Sequence, residues 1–136
     1  MTGNRGYSYK ILLHIISPLI GGCIIYLYYR HNTWLNMHLG FRSITSDNNL
    51  QSNWWHEVLV YNVPDFCWDY SFASALFIWR QKTAAGTKYF PIAVFVLLMI
   101  SESIQIFFPG NFTFDWLDIL AAILAFSLSY SLNYRT

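Results

Sequence analysis

Apolar residues fall into four runs that are separated by more polar connections. The runs cover residues 11–29, 64–80, 89–108 and 113–132, and the longest connection covers 30–63. A transmembrane helix needs roughly 20 mostly apolar residues, so the pattern predicts four membrane-spanning helices. The second run is the shortest. We expect Pro64 to open its helix, because proline is favoured at the first helical position.

The runs predict helices rather than the strands of a membrane barrel. Barrel strands alternate apolar and polar residues at a period of two. Residues 95–100 and 119–126 are apolar without such alternation. The expected fold is therefore all-α, a bundle of four transmembrane helices in which residues 1–136 form a single membrane domain.

The composition also favours a membrane protein. Hydrophobic residues make up 55% of the chain and aromatic residues 20%, whereas charged residues make up only 11%. A soluble domain carries about 25% charged residues, so too few are present to cover a water-facing surface. The aromatic content argues against disorder. The net charge of +1 excludes a strongly basic nucleic-acid-binding protein.

The first apolar run has a second interpretation as a secretion signal. Arg5 and Lys10 precede it, as in a signal peptide, and residues 20–23 resemble a bacterial lipoprotein cleavage box. However, residues 24–29 remain apolar beyond Cys23, so the run is long enough to span a membrane. We therefore interpret it as a transmembrane helix.

The distribution of basic residues predicts the orientation. Lys and Arg in short connections remain on the cytoplasmic side. Basic residues precede the first run, join the second to the third and follow the fourth: Arg5, Lys10, Arg80, Lys82, Lys88 and Arg135. Both termini are therefore expected in the cytoplasm, and 30–63 is expected to be an extracytoplasmic loop. Trp54 and Trp55 in this loop are typical of an aromatic anchor at headgroup depth.

The acidic residues are the main functional signal. With both termini inside, the second helix starts, the third ends and the fourth starts at the outer face. One layer near that face then contains Asp65, Asp69, Glu102, Gln105, Asp115 and Asp118. Asp69 is expected about 7 Å from the start of its helix. Asp65 and Asp115 are also explained as first-turn acids that the helix dipole stabilises.

Charged residues inside a membrane are costly and usually face the bundle interior, so this layer is a candidate ligand site. Arg30 is the nearest expected charge partner. The excess of acids implies protonated carboxyls or a bound cation. No metal-ligand spacing, phosphate-binding loop or nucleophile motif is present, so we predict no metal and no cofactor, and the sequence favours a non-enzymatic role without deciding it. Acid–base chemistry by paired carboxylates is the enzymatic alternative.

Two stripes of small or polar residues are expected to pack helices closely. On the first helix the stripe contains His14, Ser17 and Gly21. On the fourth helix it contains Asp118, Ala122, Ala125 and Ser129.

Residues 101–110 and 114–121 resemble the VanZ-like family of bacterial membrane proteins. The resemblance rests on an E-x-x-Q ending one helix, an F-x-P-G turn and an F-D-x-x-D opening the next helix. The matching residues are Glu102, Gln105, Phe107, Pro109, Gly110, Phe114, Asp115 and Asp118. Asn111 stands where the family has an arginine, and Ala122 where it has an asparagine.

The resemblance implies a small multi-pass protein of the bacterial cytoplasmic membrane. The named member of the family is associated with low-level resistance to the glycopeptide teicoplanin. The expected partner is therefore a membrane lipid, a lipid-linked envelope intermediate or an amine-bearing ligand. An accessory subunit of a larger membrane protein complex is the alternative function.

Overall fold

The computed structural model describes residues 3–29, 38, 54–83, 89–104 and 116–134, and these residues form helices without strands. Helix α1 consists of Gly3–Ile11, a π-helical segment Leu12–Ile16 and Ser17–Tyr29. Helix α2 is Trp54–Thr83, helix α3 is Phe90–Ile104, and helix α4 is Trp116–Ser129 continued by a π-helical segment Tyr130–Tyr134. The expected all-α class is confirmed.

The predicted start of the second helix is wrong. Helix α2 begins at Trp54 and is 30 residues long, with Pro64 in its interior, so residues 54–63 belong to the helix and not to the loop. Proline removes a single backbone hydrogen bond, the one to the carbonyl of Val60, and packing against neighbouring helices makes this loss tolerable. Pro64 is indeed fully buried. Asp69 therefore lies about 22 Å from its helix start, not about 7 Å.

Helix α1 also begins earlier than predicted, at Gly3 instead of residue 11. Its π-helical segment lies directly before Pro18, whose ring would clash with the carbonyl of His14 in a regular α-helix. The Ser17 amide donates to the Leu12 carbonyl, which is the longer hydrogen bond of a π turn. The wider turn accommodates the proline.

The expected packing stripe on α1 needs a correction as well. A Cβ atom added at Gly21 would have nothing within 4 Å, and Ser17 is exposed. The close approach is at Gly22, where a Cβ atom would lie 3.0 Å from Cys67 Cβ and 3.0 Å from Trp68 Nε1. The extra residue in the π turn rotates the face that α1 presents to α2, which moves the contact by one position.

Adjacent helices in the chain run antiparallel, and α2 and α4 run parallel. Along α2 and α4, Asn62 contacts Asp118 and Ser74 contacts Ser129. Helix α3 runs in the opposite direction, because its first residue, Phe90, packs on Phe77 near the end of α2. Around Phe77, near the end of α2, the interior of the bundle is aromatic. The Phe77 ring contacts the rings of Phe90, Phe126, Tyr130 and Tyr134.

The exterior of the bundle is apolar. Large hydrophobic side chains are exposed along the helices, among them Leu12 and Ile20 on α1 and Leu120 and Leu124 on α4. Two helical stretches among the described residues, Gly6–Tyr29 and Trp116–Tyr134, are long and apolar enough to cross a membrane. Phe90–Ile104 is a shorter apolar helix.

Candidate functional site

Three helices each contribute one buried carboxyl group to a common cluster. Asp69 of α2 is 8% exposed, Glu102 of α3 is 7% exposed, and Asp118 of α4 is 6% exposed. Glu102, Asp118 and the partly buried Asp65 all lie close enough to Asp69 to interact with it electrostatically. We call these four residues the acidic cluster. The structure thus brings together four of the predicted site residues.

The cluster has a different position on each helix. Glu102 lies in the last turn of α3 and Asp118 in the first turn of α4. Asp69 lies near the middle of α2, because that helix begins at Trp54, 15 residues before it. Relative to α2, the acids therefore do not form the shallow layer that the sequence predicted.

Asn62 is a member of this site that the sequence reasoning missed. Its Nδ2 donates to Asp118 Oδ1 at 3.1 Å, and both side chains are buried. This bond between α2 and α4 holds the Asp118 carboxyl in place. The sequence does contain a signal for it. Asp65 and Asp69 follow Asn62 by three and seven residues, and this spacing puts all three on one face of a helix. It was overlooked because residue 62 was assigned to a loop.

Asp69 carries the least satisfied atom of the cluster. Its Oδ2 is fully buried and has no hydrogen-bond partner among the described residues. A buried carboxylate oxygen without a donor costs more than an ordinary lost hydrogen bond, about 1–3 kcal/mol or more. The cluster is therefore built to accept a hydrogen-bond donor.

The basic side chains that the structure describes lie toward the other end of the bundle. Lys10 is in the first part of α1, and Arg80 is in the last turn of α2. The Arg80 guanidinium lies over the Tyr134 ring at 4.3 Å and over the Phe90 ring at 5.6 Å. The expected partner Arg30 and the predicted site residues Gln105 and Asp115 lie outside the described residues.

A second buried polar group joins α1, α2 and α4 in the half of the bundle that contains Arg80. Ser74 Oγ lies 2.9 Å from Ser129 Oγ, and Asn133 Nδ2 donates to Ser74 Oγ at 3.1 Å. The His14 ring lies 2.6 Å from the Tyr70 hydroxyl. Ser129 was predicted to lie in a packing stripe, whereas Asn133, which follows it by one helical turn on the same face, was missed.

Between the two polar groups, the α2–α4 contact consists of small apolar side chains. Ala73, Ala122 and Ala125 are completely buried there. Such residues allow helix backbones to approach closely. Small apolar side chains therefore lie between the acidic cluster and the second polar group along this contact.

Within the described ranges, no group of three or more His, Cys, Asp or Glu side chains is arranged to hold a metal ion. Comparison of the chain with protein-family models, with curated proteins and with solved structures finds no match. The chemistry of the site therefore rests on its own geometry. Buried carboxyl groups that are close enough to interact, one of them with an oxygen that has no donor among the described residues, can accept hydrogen bonds from a positively charged donor.

Proposed function

We propose that the chain is a non-enzymatic, multi-pass membrane protein whose acidic cluster binds the cationic group of an envelope ligand. The observation that carries the proposal is the convergence of Asp69, Glu102 and Asp118 from three helices, each almost completely buried. Burying several carboxyl groups side by side is unfavourable unless a positive charge or protons compensate them. A cationic ligand group provides that compensation.

The distribution of tryptophan side chains supports a membrane crossing by α2. Trp54 and Trp55 stack on each other at one end of α2 and are exposed, and Trp79 is exposed near the other end. Trp55 and Trp79 are separated by 24 residues, or about 36 Å of helix. This matches a hydrocarbon core of about 30 Å with tryptophan at both interfaces.

The proposed orientation follows from the charges. Arg80 and Lys82 at the end of α2 belong on the cytoplasmic side, together with both termini. Glu102 and Asp118 are then toward the outer face, and Asp69 lies deeper, near the middle of α2. The proposed location is the bacterial cytoplasmic membrane, and membership of the VanZ-like family is part of this proposal.

The ligand class follows from the surroundings of the cluster. Glu102 and Asp118 lie where α3 ends and α4 begins, and the exposed Trp116 near Asp118 is typical of headgroup depth. A ligand that reaches this depth is a membrane lipid or a lipid-linked envelope intermediate with an amine. Binding of such a group is a physical route to the glycopeptide tolerance that the resemblance implies.

The cellular test measures glycopeptide sensitivity of bacteria that express the chain. Glu102→Gln and Asp118→Asn keep the side-chain shape and remove the charge, and we expect both to change sensitivity at unchanged protein level. Ser103→Ala is the matched control, because Ser103 is exposed and its hydroxyl donates to the Met99 carbonyl of its own helix. Unchanged sensitivity in both acid variants would contradict the proposed function.

A further inference from the structure

The unsatisfied oxygen of Asp69 identifies the kind of cation that the acidic cluster takes. Asp69 Oδ2 is buried and lacks a hydrogen-bond partner among the described residues. The nearby Asn62 amide donates to Asp118 Oδ1 at 3.1 Å. A ligand that fits this site must therefore bring its own N–H or O–H group.

Positive charge alone does not meet this requirement. A quaternary ammonium group carries its charge on methyl groups and has no N–H donor, whereas a primary ammonium group has three donors. A buried acceptor that receives no donor costs free energy, whereas a charge-assisted hydrogen bond is among the strongest polar contacts. The number of N–H groups on the ligand should therefore determine its affinity.

We propose that the acidic cluster selects a primary ammonium headgroup over its N-methylated counterparts. This inference rests on the proposed function and adds the chemical class of the ligand. Asp69 supplies the selectivity through Oδ2, and Glu102 and Asp118 supply further negative charge. Asn62 is a positioning residue, because it holds Asp118 and leaves Asp69 to the ligand.

The lipid headgroup series provides a direct test. Phosphatidylethanolamine, its monomethyl and dimethyl derivatives and phosphatidylcholine carry three, two, one and no N–H groups on an otherwise identical headgroup. We would titrate each lipid, with the same acyl chains, into the purified full-length protein and measure bound lipid by native mass spectrometry. We expect wild-type affinity to fall along the series by at least about tenfold.

Two variants identify the origin of the selectivity. Asp69→Asn should bind the first and last lipid of the series with equal affinity. Ser127→Ala should retain the wild-type series, since Ser127 is exposed and bonds to Ile123 of its own helix. Free ethanolamine is the parallel probe for a soluble amine. If it binds as tightly as phosphatidylethanolamine, the assignment of the ligand as a lipid is wrong.

The results distinguish this inference from the proposed function. If the wild type binds all four lipids with equal affinity and Glu102→Gln abolishes this binding, the proposed selectivity is wrong but the cation site is supported. The proposed selectivity is also wrong if the affinity of Asp69→Asn falls along the lipid series as much as that of the wild type, because the selectivity would then arise elsewhere. Binding that depends on none of the acids would overturn both the inference and the proposed function.

Discussion

Two neighbouring glycines in α1 have different surroundings, which provides a matched pair of substitutions. A Cβ atom at Gly22 would lie 3.0 Å from Cys67 Cβ, whereas nothing lies within 4 Å of one at Gly21. Gly22→Ala should therefore push α1 away from α2 and lower the free energy of unfolding by about 1–3 kcal/mol. Gly21→Ala should raise it by about 0.5–1 kcal/mol, because glycine is a poor helix former. Thermal unfolding in detergent measures both.

This result depends on the π turn of α1. If Gly21→Ala is the more damaging substitution, α1 presents the face of a regular α-helix to α2, and the description of this contact is wrong.

At the residue scale, the buried acids were located from the sequence, whereas the buried amides Asn62 and Asn133 were missed. Asp69, Glu102 and Asp118 were predicted to lie together, because a carboxyl group in an apolar helix has few places to go except the bundle interior. Asn62 and Asn133 are equally buried. A neutral amide, however, is compatible with an interface, a loop or a helix contact, so its type and position alone do not place it.

At the element scale, the parallel packing of α2 and α4 predicts a specific cross-link. The hydroxyl oxygens of Ser74 and Ser129 lie 2.9 Å apart and both side chains are completely buried. Ser74→Cys with Ser129→Cys, after replacement of Cys23 and Cys67, should form a disulfide on mild oxidation, because the side chains already point at each other. Mass spectrometry of the digested protein detects the linked peptides.

The control pairs Ser74→Cys with Ser127→Cys. Ser127 is exposed on the other side of α4. Equal cross-linking of the two pairs would indicate nonspecific oxidation, and cross-linking of the control alone would contradict the α2–α4 register.

The bounds of α2 show where sequence patterns fail at this scale. The existence of the helix was predicted from its apolar run, but its start was placed ten residues too late. Proline is common at helix starts, so Pro64 was taken as one. What keeps Pro64 inside the helix is tertiary packing around it, and a local pattern does not contain that information.

At the scale of the whole molecule, the account predicts four crossings with both termini in the cytoplasm. Green fluorescent protein fused to the C-terminus should fluoresce, and alkaline phosphatase fused at the same position should be inactive. Alkaline phosphatase fused after residue 45, in the predicted outer loop, should be active. An active C-terminal phosphatase would contradict a cytoplasmic C-terminus.

Amine binding by the purified protein is the decisive test of the acidic cluster as a cation site. Purified protein in neutral detergent is titrated with dodecylamine or with dodecanol, its uncharged counterpart, and binding is measured by calorimetry. The acidic cluster predicts saturable binding of the amine but not of the alcohol. The double variant Asp69→Asn with Glu102→Gln should weaken amine binding by at least about tenfold, or ~1.4 kcal/mol, whereas Ser103→Ala should not. Equal amine binding by the wild type and the double variant would contradict the account.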